Sequence, residues 1–251
     1  MELNLKGKNA LVTGSSKGIG YAIASHLFEE GCNVTINGRN ENSLKTLKSK
    51  FNDRMNYCAA DVTNPNDCKR LITNTIDQWG SIDILVCNVG NGNSVKPGNE
   101  NIEEWKKSFS DNFFSTTNVI EELLKCNSNS PKSIVCISSI AGIESTGAPV
   151  PYSVAKSAIN SYVKNISKHF AKYDIRINTV SPGNIMFENS VWEKKLIENS
   201  KNVEDMLKKE VAMKRFGTPA EISNLVVFLC SEKSSFITGS TFTADGGQTK
   251  S

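Results

Sequence analysis

The stretch KNALVTGSSKGIGYAIASHLF, residues 8–28, decides the fold of this chain. Its apolar beginning, residues 8–13, predicts a short buried strand. The spacing of apolar residues from Tyr21 onward predicts a helix that ends near Gly31. A second apolar run follows at residues 32–36. Strand, glycine-rich turn, helix and strand in this order predict the first unit of a dinucleotide-binding fold.

The glycine-rich turn has the spacing Gly14-x3-Gly18-x-Gly20. Glycines at such positions let backbone N–H groups approach a pyrophosphate at the N-terminus of the following helix, where the helix dipole favours an anion. The spacing differs from the G-x-G-x-x-G pattern. A tight turn between strand and helix that binds no ligand is therefore the alternative interpretation.

The end of the second predicted strand carries the signal for the type of cofactor. An acidic side chain there binds the ribose 2′-hydroxyl of NAD, whereas an arginine accommodates the 2′-phosphate of NADP. Residues 34–40 contain no acidic residue, Arg39 follows the strand, and Lys17 adds a positive charge in the glycine turn. The sequence therefore predicts NADP(H) in preference to NAD(H), with a solvated loop arginine as the alternative.

Apolar runs alternate with helical patterns along the rest of the chain, which predicts an α/β fold with a parallel sheet covered by helices on both faces. No linker or internal repeat divides the chain, so we predict one domain over residues 1–251. The alternation breaks at about residues 184–216, where we predict a helical lid over the substrate. The predicted strands cover residues 8–13, 32–36, 55–60, 82–87, 133–137, 175–180 and 241–244, and the main predicted helices cover residues 21–28, 41–50, 65–79, 102–125, 151–173 and 219–230.

Composition excludes several classes of function. The chain has 29 basic against 26 acidic residues and no basic block, so we predict no nucleic-acid partner. Residues 1–6 lack the apolar core of a signal peptide and no apolar run approaches a membrane span, so we predict a cytoplasmic location. The seven cysteines form no C-x-x-C pair, and neither histidine has a partner at ligand spacing. We therefore predict reduced thiols and no metal site.

Three residues suited to proton transfer follow the strand predicted at residues 133–137. Ser139 lies at the carboxyl end of that strand, where ligands bind in open α/β sheets. Tyr152 and Lys156 are four residues apart, so a helix places them on one face. A nearby ammonium lowers the pKa of a phenol from about 10, which suits the phenol to act as general acid or base. Taken alone, Tyr-x-x-x-Lys also fits two exposed residues of an ordinary helix.

In its full set of motifs the chain resembles the classical short-chain dehydrogenase/reductase family over essentially its whole length. The resemblance implies a single-domain Rossmann-like, doubly wound sheet of seven mostly parallel strands and an NAD(P)(H)-dependent oxidoreductase. The motifs occur in the family's order as Thr13-Gly14-x3-Gly18-x-Gly20, Asp61-Val62, Asn88-x-Gly90, Asn112, Ser139, Tyr152-x3-Lys156, Pro182-Gly183, and Gly239 with Asp245-Gly246-Gly247.

The resemblance also implies roles for individual residues. It implies that Tyr152 exchanges the substrate proton and that Ser139 orients the carbonyl. It further implies that Lys156 lowers the Tyr152 pKa and holds the nicotinamide ribose, while Asn112 anchors a water of a proton relay. Hydride then passes between the nicotinamide and the substrate carbon. The implied cofactor contacts are Gly14, Ser16, Lys17, Gly18, Ile19, Gly20, Arg39, Asp61, Val62, Asn88, Gly90, Tyr152, Lys156, Pro182, Gly183 and Ile185.

Two departures from the family pattern concern this site. Cys87 and Val89 flank Asn88 where the family usually has Asn-Asn-Ala-Gly. Phe187 stands where the family usually has a threonine that contacts the nicotinamide carboxamide. We interpret Cys87 as a packing residue and Phe187 as a wall of the substrate pocket, with a shift of this segment along the chain as the alternative.

The sequence restricts the substrate only to a small carbonyl or alcohol compound. Residues 214–222, KRFGTPAEI, resemble the bacterial 3-oxoacyl-acyl-carrier-protein reductase group, but the segment is widespread among members with sugar, polyol, steroid and aldehyde substrates. We expect a ketone reductase with a 3-oxoacyl-like substrate. A sugar, polyol or other secondary-alcohol dehydrogenase and a catalytically silent nucleotide-binding protein are the alternatives. The resemblance also implies a homodimer or homotetramer, paired through helices near residues 102–125 and 151–172 and through the C-terminal segment.

Overall fold

The computed structural model of the chain describes residues 2–126 and 131–250. Seven strands form one sheet in the order β3-β2-β1-β4-β5-β6-β7, and every neighbouring pair is parallel. The predicted seven-stranded, Rossmann-like sheet is therefore confirmed. The strands are β1 (Asn9–Val12), β2 (Asn33–Gly38), β3 (Met55–Ala59), β4 (Ile84–Cys87), β5 (Ser133–Ile137), β6 (Arg176–Pro182) and β7 (Thr241–Ala244).

Helices cover both faces of the sheet, which explains why the central strands β1, β4 and β5 are buried along their whole length. Side chains of α1, α2 and α9 pack on the face that includes Val12, and side chains of α3, α5 and α6 pack on the face that includes Leu11. The helices are α1 (Gly18–Glu29), α2 (Glu41–Lys48), α3 (Pro65–Trp79), α4 (Ile102–Phe109), α5 (Ser115–Leu124), α6 (Val150–Ala171), α7 (Val191–Glu198), α8 (Ser200–Glu210) and α9 (Pro219–Cys230).

The cysteines belong to these two cores, as predicted. All seven are free thiols, and six of them are buried, with Cys126 half-buried. Cys87 lies opposite Cys136 in the pairing of β4 with β5. The hydrogen bond with Cys136, and after it burial, raises the pKa of Cys87 well above its ordinary value. A thiol with a raised pKa is a poor nucleophile, which agrees with a packing role for Cys87.

The helix predicted at residues 102–125 runs without a break from Ile102 to Leu124, but it is not α-helical throughout. Between α4 and α5 lies a π-helical turn, Ser110–Phe114, in which the fully buried Asn112 sits. Single π-helical turns widen a helix locally and occur frequently at functional sites. At this turn the Asn112 amide bonds to the backbone of a distant loop, a tertiary contact of which the sequence pattern contains no signal.

The segment that interrupts the strand–helix alternation forms α7 and α8. These helices pack around a small apolar cluster of Val203, Leu207 and Val211, separate from the two main cores. Ile185 pairs with Gly217 as an isolated bridge, so both ends of the segment are joined next to the sheet. Within the described residues, no helix is both long and apolar enough to span a membrane.

Candidate active site

A cavity of about 1100 Å³ opens at the carboxyl ends of the strands. The order of the sheet reverses at β1 and β4, and this is the position at which open α/β sheets bind ligands. The cavity extends from Arg39 at one end to the helices α7 and α8 at the other. Of the residues predicted for cofactor or catalysis, it is lined by Gly14, Ser16, Lys17, Ile19, Arg39, Asp61, Val62, Asn88, Gly90, Ser139, Tyr152, Lys156, Pro182, Gly183 and Ile185.

Ser139, Tyr152 and Lys156 meet in the middle of this cavity. Ser139 follows β5, and its Oγ accepts a hydrogen bond from the Ala141 N–H at 3.1 Å, which leaves the hydroxyl hydrogen to donate. Pro151 is in the first turn of α6, where its missing N–H costs nothing, and Tyr152 follows it. The Lys156 Nζ lies 5.9 Å from the centre of the Tyr152 ring. The helix therefore brings the phenol and the ammonium to one face, as the spacing predicts.

Lys156 is held in place from several sides. Its side chain is buried, and its Nζ donates a hydrogen bond to the Ile137 carbonyl at 2.9 Å. A Cβ atom on Gly90 would lie 2.9 Å from this Nζ, and one on Gly142 would lie 2.7 Å from the Lys156 carbonyl carbon. Glycine at both positions is thus required for the loops after β4 and β5 to close on the lysine.

Burial has the largest effect on the pKa values of Tyr152 and Lys156. It raises the pKa of Tyr152 above its usual 10.0, and the hydroxyl of Ser139 beside the phenol opposes that rise. It also lowers the pKa of Lys156 from 10.5 to about 8. The sequence predicts a Tyr152 pKa lowered by Lys156, whereas in the structure the removal of the phenol from water has the larger effect and raises this pKa.

Asn112 does not line the cavity but is fixed directly behind it. Its Oδ1 accepts a hydrogen bond from the Asn91 N–H at 2.8 Å, and its Nδ2 donates to the Asn91 carbonyl at 3.0 Å. The same Nδ2 donates to the Ser108 carbonyl at 3.0 Å. These bonds tie the π-helical turn to the loop after β4.

Gly18 and Gly20 also lie outside the lining and have structural roles. A Cβ on Gly20 would meet the Asn88 Nδ2, which donates to the carbonyls of Thr13 at 3.2 Å and Gly14 at 3.0 Å. Gly18 has a φ of +58° and is the first residue of α1, so its conformation favours glycine. Asn88 therefore fixes the glycine turn from β4.

The end of the cavity nearest β2 is positively charged. Arg39 and Lys17 are exposed there. At the end of β2, the side chain of Asn37 is buried and neutral. Its Nδ2 donates to the carbonyls of Cys58 and Ala60, both at 3.1 Å, and its Oδ1 accepts from the Gly14 N–H at 3.3 Å. Asn37 thus joins β2, β3 and the glycine turn.

Comparison with known proteins places this geometry in a family. A family model described as enoyl-(acyl carrier protein) reductase matches residues 14–249. A 3-oxoacyl-(acyl-carrier-protein) reductase of Chlamydia muridarum is 34% identical over 97% of this chain and 98% of that protein. The mouse protein named dehydrogenase/reductase SDR family member 4 is 32% identical over 97% of this chain and 88% of its own. This chain belongs to the short-chain dehydrogenase/reductase family.

Membership in the short-chain dehydrogenase/reductase family makes the chain an NAD(P)(H)-dependent oxidoreductase. Relatives differ in substrate, since glucose 1-dehydrogenase 2 of Bacillus subtilis is also 31% identical, over 99% of this chain and 97% of that protein. A crystal structure of L-sorbose reductase from Gluconobacter frateurii, complexed with NADPH and L-sorbose, superposes with a TM-score of 0.90 at 27% identity and covers 100% of both chains.

Several cavity residues of this short-chain dehydrogenase/reductase are not predicted by the motifs. Asn91 and Asp111 lie beside Asn112, Trp192 belongs to α7, and Gln248 belongs to the C-terminal tail. The tail reaches the cavity because Lys250 N–H donates to Glu144 Oε1 at 2.9 Å. In the sequence, Asn91 directly follows Gly90 and Asp111 directly precedes Asn112. This adjacency to motif residues is the signal that identifies both as candidate cavity residues.

Proposed function

We propose that this protein is an NADP(H)-dependent ketone reductase, with Asn112, Ser139, Tyr152 and Lys156 as its catalytic set. The observation that carries the proposal is the meeting of the Ser139 hydroxyl, the Tyr152 phenol and the buried Lys156 in one cavity with the glycine turn. The residues fit a dinucleotide, because the cavity adjoins the N-terminus of α1 and contains a basic end for a phosphate.

The reaction proposed for these residues is proton donation to a carbonyl oxygen. The bound cofactor supplies hydride to the carbonyl carbon. The Ser139 hydroxyl donates a hydrogen bond to the carbonyl oxygen, and the Tyr152 phenol gives its proton to that oxygen as the hydroxyl product forms. Because burial raises the pKa of Tyr152, the phenol stays protonated near neutral pH and is available as a proton donor. Lys156 lies beside the phenol and supplies positive charge to the phenolate that remains.

The preference for NADP(H) is supported by charge at one end of the cavity. Arg39 and Lys17 both line it, while Asn37 replaces an acidic residue at the end of β2. A guanidinium binds a phosphate through two parallel hydrogen bonds, whereas the 2′-hydroxyl of NAD offers it only one weak partner. We propose the remaining cofactor contacts as the sequence predicts them, including Asp61 and Val62.

We propose that the substrate is a small ketone, and we consider two classes of ketone. The 3-oxoacyl class is supported by the Chlamydia relative, and the sugar class by the Bacillus relative and by the structural neighbour. A catalytically silent nucleotide-binding protein is disfavoured, because Ser139, Tyr152 and Lys156 are all present and adjacent in the cavity.

We also propose a homodimer or homotetramer. Phe114 and Val154, on the π-helical turn and on α6, expose 47% and 42% of their surface. The Phe113 ring lies 5.5 Å from that of Phe114 and 6.1 Å from that of Tyr162 on α6, measured between ring centres. Exposed apolar side chains on two neighbouring helices fit a contact with a second copy of the chain. Analytical ultracentrifugation of the wild type and of Phe114→Glu tests this, with a smaller species expected for the variant.

The function is tested by mixing the protein with NADPH and a panel of ketones and following nicotinamide absorbance. We expect turnover by the wild type and a loss of about 100-fold to 10,000-fold in Tyr152→Phe, because the phenol is the proton donor. NADPH affinity and the fold should stay unchanged in this variant. Tyr173→Phe, at an exposed position just beyond α6, is the matched control. A wild type that binds NADPH but reduces no ketone, or a fully active Tyr152→Phe, contradicts the proposal.

A further inference from the structure

We propose that Asp111 and Asn91 bind hydroxyl groups of the substrate beside the reacting oxygen, and that the substrate is a polyhydroxylated carbonyl compound such as a ketose. This inference rests on the proposed reductase function and names the substrate class of the same site. It is carried by a half-buried carboxylate that lines the cavity with one oxygen unbonded.

The pair lies next to the catalytic set. Asp111 belongs to the π-helical turn and directly precedes Asn112. The Asn91 Nδ2 donates a hydrogen bond to Asp111 Oδ2 at 3.1 Å, while the Asn91 backbone bonds to Asn112. The next residue is Gly92, where a Cβ would lie 4.0 Å from Cε2 of Tyr152. The loop that holds Asn91 therefore forms the wall beside the phenol.

The hydrogen-bonding capacity of Asp111 is largely unused. Its Oδ1 accepts no hydrogen bond and its carboxylate forms no ion pair with any residue in the described ranges 2–126 and 131–250. An ionised carboxylate has about four acceptor positions and no donor. A charge that loses its water without gaining donors is strongly disfavoured. A substrate that fills this part of the cavity must therefore bring donors to Asp111.

Hydroxyl groups meet this requirement and methylene groups do not. A hydroxyl donates a charge-assisted hydrogen bond to the free carboxylate oxygen, which replaces the displaced water. The acyl chain of a 3-oxoacyl thioester would cover the same carboxylate with apolar atoms. The chemistry of Asp111 thus favours a ketone with hydroxyl groups next to the carbonyl carbon.

Other parts of the cavity agree with a polyhydroxylated substrate. Gln248 lines the cavity, and its Oε1 is buried without a hydrogen-bond partner among the described residues. At the lid, Lys195 is accompanied by Glu198 and Glu210, so this edge carries no excess positive charge for the phosphate of a carrier-bound acyl group.

The test compares two four-carbon ketones that differ in their hydroxyl groups, L-erythrulose and butan-2-one, with L-sorbose and acetoacetyl-coenzyme A as further substrates. NADPH oxidation is measured for the wild type, Asp111→Ala, Asp111→Asn, and Asp77→Asn as an exposed control on α3. We expect kcat/KM for L-erythrulose to exceed that for butan-2-one by about 100-fold or more, because a site built for hydroxyl groups rejects analogues that lack them.

Asp111→Ala should lower kcat/KM for L-erythrulose by about 10-fold or more beyond its effect on butan-2-one, since only the former bonds to the carboxylate. Asp111→Asn retains an acceptor beside Asn91, so its kcat/KM for L-erythrulose should lie between those of the wild type and Asp111→Ala. An equal loss on both ketones would mean that Asp111 only holds Asn91 and Asn112 in place, and it overturns the inference. Preference for acetoacetyl-coenzyme A overturns the substrate class while the reductase function stands. Failure to reduce any ketone with NADPH bound refutes the reductase function itself.

Discussion

The ring of Phe187 packs directly on Gly18. A Cβ atom added to Gly18 would lie 2.6 Å from Cε2 of that ring, so the glycine turn and the beginning of the lid segment touch where the glycine has no side chain. The backbone around Phe187 is fixed as well, because Met186 N–H donates to the Gly217 carbonyl at 2.9 Å and Ser190 N–H donates to the Phe187 carbonyl at 3.0 Å. Phe187 also lines the cavity, which agrees with its interpretation as a wall of the pocket.

Gly18→Ala should lower the free energy of unfolding by about 2–4 kcal/mol. The alanine meets the Phe187 ring and also adopts a φ of +58°, which disfavours any residue with a Cβ. In a Phe187→Ala background the same substitution should cost about 1–2 kcal/mol less, because the steric part disappears and the backbone strain stays. Urea unfolding of the four proteins measures this coupling. Strictly additive effects would show that the two residues do not touch.

Arg39→Ala should weaken NADPH binding by about 10-fold to 100-fold, because a charge-assisted hydrogen bond to the phosphate contributes about 1.5–3 kcal/mol. NADH affinity should change by less than about 2-fold, since that cofactor offers no phosphate at this position. Fluorescence titration with both cofactors measures the two affinities. Lys69→Ala, an exposed change on α3, serves as control. Equal losses for NADPH and NADH would refute a phosphate-binding role for Arg39.

Asn37→Ala should lower the free energy of unfolding by about 2–4 kcal/mol, because the buried carbonyls of Cys58 and Ala60 lose their donor. Asn37→Asp should be worse, since a carboxylate would face the same two carbonyl oxygens. Asn74→Ala removes one exposed hydrogen bond to Asn56 and should change stability by about 0.5 kcal/mol or less. Denaturant unfolding at neutral pH ranks the three variants. An Asn37→Ala protein as stable as the control would mean that water replaces these bonds.

Lys156 should make stability depend on pH between about 8 and 10.5. Its pKa is about 8 in the folded protein and 10.5 as an ordinary lysine, so the unfolded chain binds more protons across this window. The contribution of Lys156 to stability therefore rises with pH and is complete above 10.5. The difference in unfolding free energy between the wild type and Lys156→Met should shift by about 3 kcal/mol in favour of the wild type over this range.

The unfolding free energy of Lys156→Met must be subtracted from that of the wild type at each pH. The reason is that buried thiols make the protein less stable as pH rises, whereas Lys156 makes it more stable. Burial raises the pKa of Cys32 and of Cys68 to about 12 from the ordinary 9.0. The contribution of each thiol to the stability of the protein therefore falls as pH rises above 9.0. Those groups are present in both proteins and cancel in the difference. A difference that stays flat from pH 7 to pH 10.5 would show that Lys156 keeps its charge in the fold.

Local patterns were enough to predict the sheet and most of the helices. The helix Pro219–Cys230 and the strand Thr241–Ala244 have the predicted bounds, because capping residues, proline and apolar periodicity act over a few neighbouring residues. The π-helical turn at Ser110–Phe114 was not predicted, because it depends on a contact between Asn112 and Asn91, 21 residues apart in sequence. Motif spacing identified the positions of Ser139, Tyr152 and Lys156 for the same local reason.

The sequence by itself determined the order of strands and helices, the glycine turn and the family, since each is encoded in residues close together along the chain. Tertiary structure alone decided the environment of those residues. It raised the pKa of Tyr152 by burial, placed Phe187 on Gly18, and brought the carboxylate of Asp111 into the lining of the cavity that also contains Tyr152. The physical reason is that desolvation and packing depend on what the rest of the chain places around a group, and a periodic pattern carries no record of those distant neighbours.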